Sequence, residues 1–382
     1  GFRLNNNAKS VRIPIEVQHN VILIPVRINK SFEMRFILDT GVKTSILTEP
    51  VMAHFLALDS MAKIKVRGLG EGDPIEADLA RDVRMTLPGI EGRGINLLVL
   101  PEGIISYSGM FGQPVYGILG YELFGQFAVE INYRQKYIRV YDPFRYRPGK
   151  KWESIPINIR RSKPYVTATL VDHRGEELEA EWLLDTGASM AVSLFDDELP
   201  PPKETIEAFL GQGLSGQVYG RLGRSPQLQL GEFVFENIIT GYPAPEALSM
   251  LPSQLSWYGN IGAEVISRFR VIFDYPNQRL LLRKTSKFRK PFDYNVSGLE
   301  VVSYGKNFDQ FIINYVRPNS PAAKAGIQIN DQILSLNGLP VNGARIEDLY
   351  GNLMRRNAKT IHLKLRRGDR IIRTSFRMFS EI

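Results

Sequence analysis

The sequence predicts a mainly β protein. Two similar lobes related by pseudo-twofold symmetry, at residues 1–148 and 149–290, precede a smaller α+β domain at 291–382. Three observations carry this prediction. An internal repeat spans the first three quarters of the chain. Around its landmarks, apolar and polar residues alternate between turn signals, the mark of half-buried strands. Near Phe292 the repeat stops and the pattern changes. A chain of 382 residues is long enough for two or three such units, each with its own core.

The repeat can be read directly. Glu33-Met-Arg-Phe-Ile-Leu-Asp-Thr-Gly41 matches Glu179-Ala-Glu-Trp-Leu-Leu-Asp-Thr-Gly187. Ile13-Pro-Ile15 returns as Ile155-Pro-Ile157, Gly117-Ile-Leu-Gly120 as Gly259-Asn-Ile-Gly262, and Phe127-Ala-Val-Glu-Ile-Asn-Tyr133 as Phe269-Arg-Val-Ile-Phe-Asp-Tyr275. The offset is 142 residues at Ile13/Ile155, Gly120/Gly262 and Phe127/Phe269, and 146 at Asp39/Asp185. A longer hairpin at 172–177 in the second copy absorbs the difference, since loops tolerate insertions cheaply. Residues 11–28, 165–170 and 280–282 read as strand, and short helices fit 50–58 and the segments after Gly120 and Gly262. The boundary between copies falls in the Pro-, Gly- and charge-rich stretch 143–151.

Composition excludes several chemistries. The chain has no cysteine, so disulfides, zinc–thiolate sites, iron–sulfur clusters and thiol nucleophiles are out. Its four histidines, His19, His54, His173 and His362, are scattered and lack metal-ligand spacing, so neither metal nor cofactor is expected. The net charge is +8, and basic residues are dense at 279–290 and 366–377; in the second stretch they recur along what reads as strand, as on a solvated sheet face. A polyanion- or membrane-surface-binding role is the weaker alternative, and no nucleic-acid motif accompanies the charge. No apolar run is long enough to span a membrane. Residues 1–10 are polar, and a start at Gly1 is compatible with loss of an export signal.

The chemistry lies in the two Asp-Thr-Gly triplets, each following an apolar strand. Hydrolysis of an amide without a metal or a covalent intermediate needs one carboxylate to deprotonate water and one carboxylic acid to polarise the carbonyl. Two carboxyl groups about 3 Å apart share a proton, because both cannot ionise. Asp39 and Asp185 are the candidate pair. Gly41 and Gly187 would allow tight turns, and Thr40 and Thr186 would hydrogen-bond across the axis.

This constellation resembles the aspartic peptidases of the pepsin and retroviral-protease clan over roughly residues 11–283. It is most similar to bacterial retropepsin-like proteins with a trailing PDZ domain. The resemblance implies two acid-protease-like β-barrels, a polypeptide substrate, a monomer, and a place in the periplasm or cell envelope, with the cytoplasm also open. Ile118-Leu-Gly120 and Asn260-Ile-Gly262 match the clan's second signature, with Asn260 where a large apolar residue is usual. Ser189 follows the clan pattern and joins the active-site support. Lys43 departs from it, and would either pair with a neighbouring acid or point outward. Val42 and Ala188, which follow the triplets, carry no hydroxyl to stabilise the carboxylates. The resemblance therefore implies dyad pKa values above those of pepsin and activity nearer neutral pH.

Glycine-rich turns at 68–72 and 211–216 sit where a flap hairpin would close over substrate. Gly68, Gly70, Gly72, Gly211 and Gly213 are the flap candidates. Tyr219 serves either the flap or packing, with no counterpart evident in the first copy. The GxGxxG within the second turn opens no βαβ unit and is not read as a dinucleotide site.

Beyond residue 291, Val316-Arg-Pro-Asn-Ser-Pro-Ala-Ala-Lys-Ala-Gly326 and Ile329-Asn-Asp-Gln-Ile-Leu-Ser-Leu-Asn-Gly338 resemble a bacterial-type PDZ domain. Ser320 suits a helix N-cap before Pro321, and 344–356 reads as an amphipathic helix. The resemblance implies that a peptide adds as an edge strand beside that helix. Ser297, Gly298, Leu299 and Glu300 would form the carboxylate-binding turn, with Leu349 and Leu353 on the helix. The alternative is a closed domain that packs on the peptidase. Two functions follow for the whole chain: an aspartic endopeptidase, or a catalytically inactive homologue that binds peptides as a scaffold.

Overall fold

A computed structural model describes residues 1–58, 62–70, 72–195, 199–249, 251, 257–354 and 359–382. Runs rich in Val, Ile, Leu and Phe form strands that stack their apolar faces inward, and the buried side chains of both copies merge into one large cluster.

Each copy folds around the same arrangement. In the first, Gly117–Leu119 runs parallel to Met34–Leu38 and antiparallel to Ser45–Leu47. In the second, Gly259–Gly262 runs parallel to Glu177–Asp185 and antiparallel to Val192–Leu194. Long hairpins close each barrel-like sheet: Ile75–Leu87 with Ile90–Val99, and Gly216–Leu230 with Phe233–Pro243. The extra residues of the second copy form the expected turn between Lys163–Val171 and Glu177–Asp185, where Asp172 N–H donates to the Glu176 carbonyl.

A six-stranded sheet, three strands from each copy, joins the lobes. At its centre Ala128–Asn132 pairs antiparallel with Phe269–Asp274, and Glu130 faces Ile272. These two residues are 142 positions apart, which is the repeat offset itself. Equivalent residues facing each other is what a twofold axis between the strands requires. Phe124 of the first copy packs on Phe273 and Tyr275 of the second, at 5.6 and 5.4 Å between ring centroids.

The C-terminal domain is a separate sheet in the order Leu299–Tyr304, Gln310–Val316, Gln332–Leu336, Thr360–Arg367, Arg370–Arg377, with Leu339–Pro340 beside Gln332–Leu336. The Ser320 hydroxyl caps the helix Pro321–Lys324 by accepting from Ala323 N–H, as expected. The second helix covers Ile346–Leu353. Arg355 and Arg356, at the end of the span expected for it, lie outside the described residues. Arg268, fully buried, fixes the connector. Its guanidinium donates to the carbonyls of Lys287, Phe288, Lys290 and Pro291 and pairs with Glu264.

Candidate active site

Both triplets begin where a strand leaves the core. Asp39 N–H donates to the Leu119 carbonyl at 2.9 Å, and Asp185 pairs with Gly262. The threonines then lock one turn to the other. Thr40 N–H donates to Thr186 Oγ1 (3.1 Å) and Thr186 N–H to Thr40 Oγ1 (3.0 Å). Each hydroxyl donates onward across the axis, Thr40 to the Leu184 carbonyl (2.6 Å) and Thr186 to the Leu38 carbonyl (2.9 Å). Both threonines are buried. All four bonds cross between copies, so this lattice sets the spacing of the two turns.

The lattice brings the Asp39 and Asp185 carboxyl groups together: a Cβ on Gly41 would lie 3.1 Å from an oxygen of each. Gly41 N–H donates to Asp39 Oδ1 at 2.6 Å, and Gly187 and Ala188 N–H to Asp185 Oδ1 at 3.0 and 3.2 Å. Glycine is required at position 187, because a Cβ there would lie 2.3 Å from Asp39 Oδ2. Burial first, and the Asp185 charge second, raise the Asp39 carboxyl well above the ordinary carboxylate range. A pair that cannot ionise twice holds one proton between its members. Such a pair has an acceptor and a donor ready for a water between them.

Other residues at the site were not assigned to it from the sequence. Asn260 Nδ2 donates to Asp185 Oδ2 at 2.9 Å. Neither Val42 nor Ala188 offers a side-chain donor, as expected, but the dyad does receive one from this residue. Lys163 places a favourable charge near Asp39. Lys43 does not do so: it is exposed. Tyr107 and Tyr275 are buried near the pair, and desolvation and then the two aspartates push both phenols up. Ser189, expected to support the site, is exposed instead, and the Ala188 backbone N–H makes the supporting contact.

The glycine-rich turns of the two copies meet each other. The hairpin of Ile206–Gly213 and Gly216–Leu230 turns at Leu214 and Ser215. Its tip bonds to the loop between Ala62–Val66 and Ile75–Leu87: Ser215 N–H donates to Leu69 O (2.9 Å), Gly72 N–H to Ser215 O (2.6 Å), and Gly68 N–H to Ser215 Oγ (3.1 Å). Gly70 N–H reaches the Ala247 carbonyl of the opposite lobe at 3.1 Å. The first copy therefore supplies a loop that pairs with the tip of the second copy's hairpin. A Cβ on Gly213 would lie 2.1 Å from Leu69 O. Gly213→Val is accordingly expected to part the tips and speed amide hydrogen exchange at 67–70 and 211–216, read by mass spectrometry. Unchanged exchange in a folded variant would show that the contact does not hold the tips. Gly211 stands apart, at a bulge in the hairpin with open space around it.

Residues 24–123 match the aspartyl protease family model, and residues 312–367 match the PDZ domain model. The chain carries an aspartyl protease domain and a C-terminal PDZ domain. The protease match ends before the second triplet, which the internal repeat ties to the first. No curated protein matches the chain. The two domains together support a protease with a peptide-binding domain.

The PDZ domain is docked on the protease. Tyr219 of the hairpin packs with Phe209 and with Tyr315 of the PDZ domain, at 5.7 and 5.6 Å between centroids. It lines a cavity of about 680 Å³ with Tyr315 and Pro318. Packing is therefore the role its position favours.

On the other side, the short helix Ser108–Phe111 lies against the PDZ edge strand Leu299–Tyr304, where Ser303 Oγ donates to the Gly109 carbonyl at 2.9 Å. At 297–300, the expected carboxylate-binding turn, Leu299 N–H donates to Ser297 Oγ and Gly298 has a positive φ, and Leu299 and Glu300 already begin the strand Leu299–Tyr304. Glu300 turns inward, toward Tyr350 Oη (2.8 Å) and Asn295 Nδ2 (3.2 Å), and burial raises its carboxyl. Tyr350 Oη also accepts from Val301 N–H at 2.9 Å, occupying a donor that an added strand would use. His19 of the first lobe packs edge-on against the Tyr350 ring at 4.6 Å. Leu349 and Leu353, expected to face a ligand, are buried in the core, because the helix turns its apolar stripe under the sheet. The face it shows the edge strand carries Tyr350.

Proposed function

We propose that this protein is an aspartic endopeptidase, hydrolysing peptide bonds with a water activated between Asp39 and Asp185, and that its PDZ domain binds polypeptide segments. One observation carries the reading: two carboxyl groups, from equivalent turns of the two copies, meet in a half-buried place where desolvation and mutual repulsion favour one shared proton. One carboxylate takes a proton from water as the water oxygen bonds to the carbonyl carbon. The other carboxylic acid gives its proton to the carbonyl oxygen. The resulting diol collapses with proton transfer to nitrogen, the C–N bond breaks, and an acid and an amine leave with the dyad back at one proton. The flap tips must open to admit substrate, and their closure excludes bulk water.

The test uses denatured casein over a range of pH, with wild type beside Asp39→Asn and Asp185→Asn. Cleavage lost in both variants supports the enzyme. No cleavage at any pH, with casein still bound, supports the scaffold reading instead.

The pH dependence follows from Asp39. Its neutral form is favoured by the fold. The stability it contributes is full below the unfolded carboxylate value of about 3.9 and is lost as pH rises through the raised folded value. Wild type should therefore lose melting temperature relative to Asp39→Asn as pH rises from about 4. Cleavage should fall on the alkaline side as Asp39 gives up its proton. Parallel melts and a pH–rate profile check both. A rate maximum below about pH 3 contradicts the expectation.

A further inference from the structure

We infer that Asn260 is a positioning residue that makes the dyad asymmetric: it holds Asp185 as the carboxylate that deprotonates water and leaves Asp39 as the carboxylic acid. The inference deepens the peptidase reading and rests on it. It begins with a broken symmetry. Asn260 and Ile118 are 142 residues apart and occupy equivalent places, on the strands that run parallel to Glu177–Asp185 and Met34–Leu38. Ile118 has no polar atom to offer. Asn260 Nδ2 reaches Asp185 Oδ2 at 2.9 Å and, apart from the two aspartates themselves, is the one side chain among the described residues that donates a hydrogen bond to either of them.

The chemistry gives that contact a direction. An ionised carboxylate only accepts hydrogen bonds, and an amide NH₂ only donates them. A donor aimed at a carboxylate favours its charged form. Turning the amide round would put Oδ1 against Asp185 oxygen, so the ionised state also fixes the amide orientation. The arrangement has a cost. Asn260 is 4% exposed, and its Oδ1 has no partner among the described residues. Buried polar atoms are normally paired, and an exception calls for a reason. A large apolar residue would fill the place without that cost, as Ile118 does in the first copy.

The other groups around the pair leave the assignment standing. Asp39 faces the Asp185 charge and its own burial, both of which favour its neutral form. Gly41 N–H and the Lys163 charge oppose them, ranking below both. Tyr107 and Tyr275 are buried phenols pushed up by the site, so they stay neutral. In the first step the water proton passes to Asp185 as the water oxygen bonds to the carbonyl carbon, and the Asp39 proton passes to the carbonyl oxygen.

The experiment is a pH profile of kcat/KM for Asn260→Leu, with Asn260→Ser as a smaller second variant that keeps a donor. Folding is checked by urea denaturation. For Asn260→Leu the acidic limb, which reports ionisation of the base, is expected to move up by about one pH unit or more. Asn260→Ser should move it less. An unmoved limb in a folded leucine variant overturns the assignment. A second readout does not need turnover: ¹³C-carboxyl titration of the aspartates, assigned with Asp39→Asn and Asp185→Asn. Asp185 should ionise at lower pH than Asp39, with the gap narrowed by Asn260→Leu. The opposite order overturns the inference. A wild type that shows the expected order yet cleaves nothing defeats the peptidase reading alone.

Discussion

Asp39→Asn should lower casein turnover by about 10³-fold or more and at the same time raise the melting temperature. General acid–base catalysis by one positioned group contributes roughly 10²- to 10⁴-fold, and an amide can neither give nor take the proton. The stability gain comes from the same feature. Asp39 is held well above its ordinary range by burial and by the Asp185 charge, so the fold bears both a desolvated carboxyl and a like-charged neighbour. Asparagine removes the proton uptake that folding demands of Asp39 above its unfolded value and keeps an oxygen for the Gly41 N–H bond. Opposite movements of activity and stability mark a group present for chemistry. A variant that loses both together would give Asp39 a structural role.

Thr186→Val carries the largest expected loss of stability. Its hydroxyl accepts from Thr40 N–H and donates to the Leu38 carbonyl. Valine keeps the shape and strands both backbone groups in the interior, at about 1–3 kcal/mol each, so roughly 2–6 kcal/mol in all. Because both bonds cross between copies, turnover should fall with the urea midpoint as the two turns lose their fixed spacing. Thr186→Ser keeps the hydroxyl and should recover most of both. Equal midpoints for the valine variant and wild type would show that the lattice is not what holds the turns.

What the residues revealed, and what they did not, follows from the range of the interactions. The dyad, its glycines and the threonine lattice were legible because they occur twice, in short segments whose residue types the chemistry dictates. The flap glycines were legible as turns, but not the bonds between the two tips, since nothing local pairs Leu69 with Ser215. Asn260 looked like a blemish in an apolar signature, because its partner is 75 residues away. Lys163 and Tyr107 belong to no motif and reach the site through tertiary packing alone. Leu349 and Leu353 had the right period, but a 3.6-residue stripe does not say whether it faces a core or a ligand. Tyr350, between them, is the side chain that fills the edge strand's hydrogen-bonding position.

The segment around the helix Ser108–Phe111 touches two places at once. Tyr107 lies near the aspartates, while two residues on, the Gly109 carbonyl is held by Ser303 of the PDZ edge strand. Any chain that pairs with Val301 competes with the Tyr350 hydroxyl, and one that extends past Ser303 competes with Gly109. One short segment thus links the edge strand to the aspartate pair. If a guest at the edge strand shifts Tyr107 and changes the cleft's affinity by some factor, a guest in the cleft changes the edge strand's affinity by the same factor.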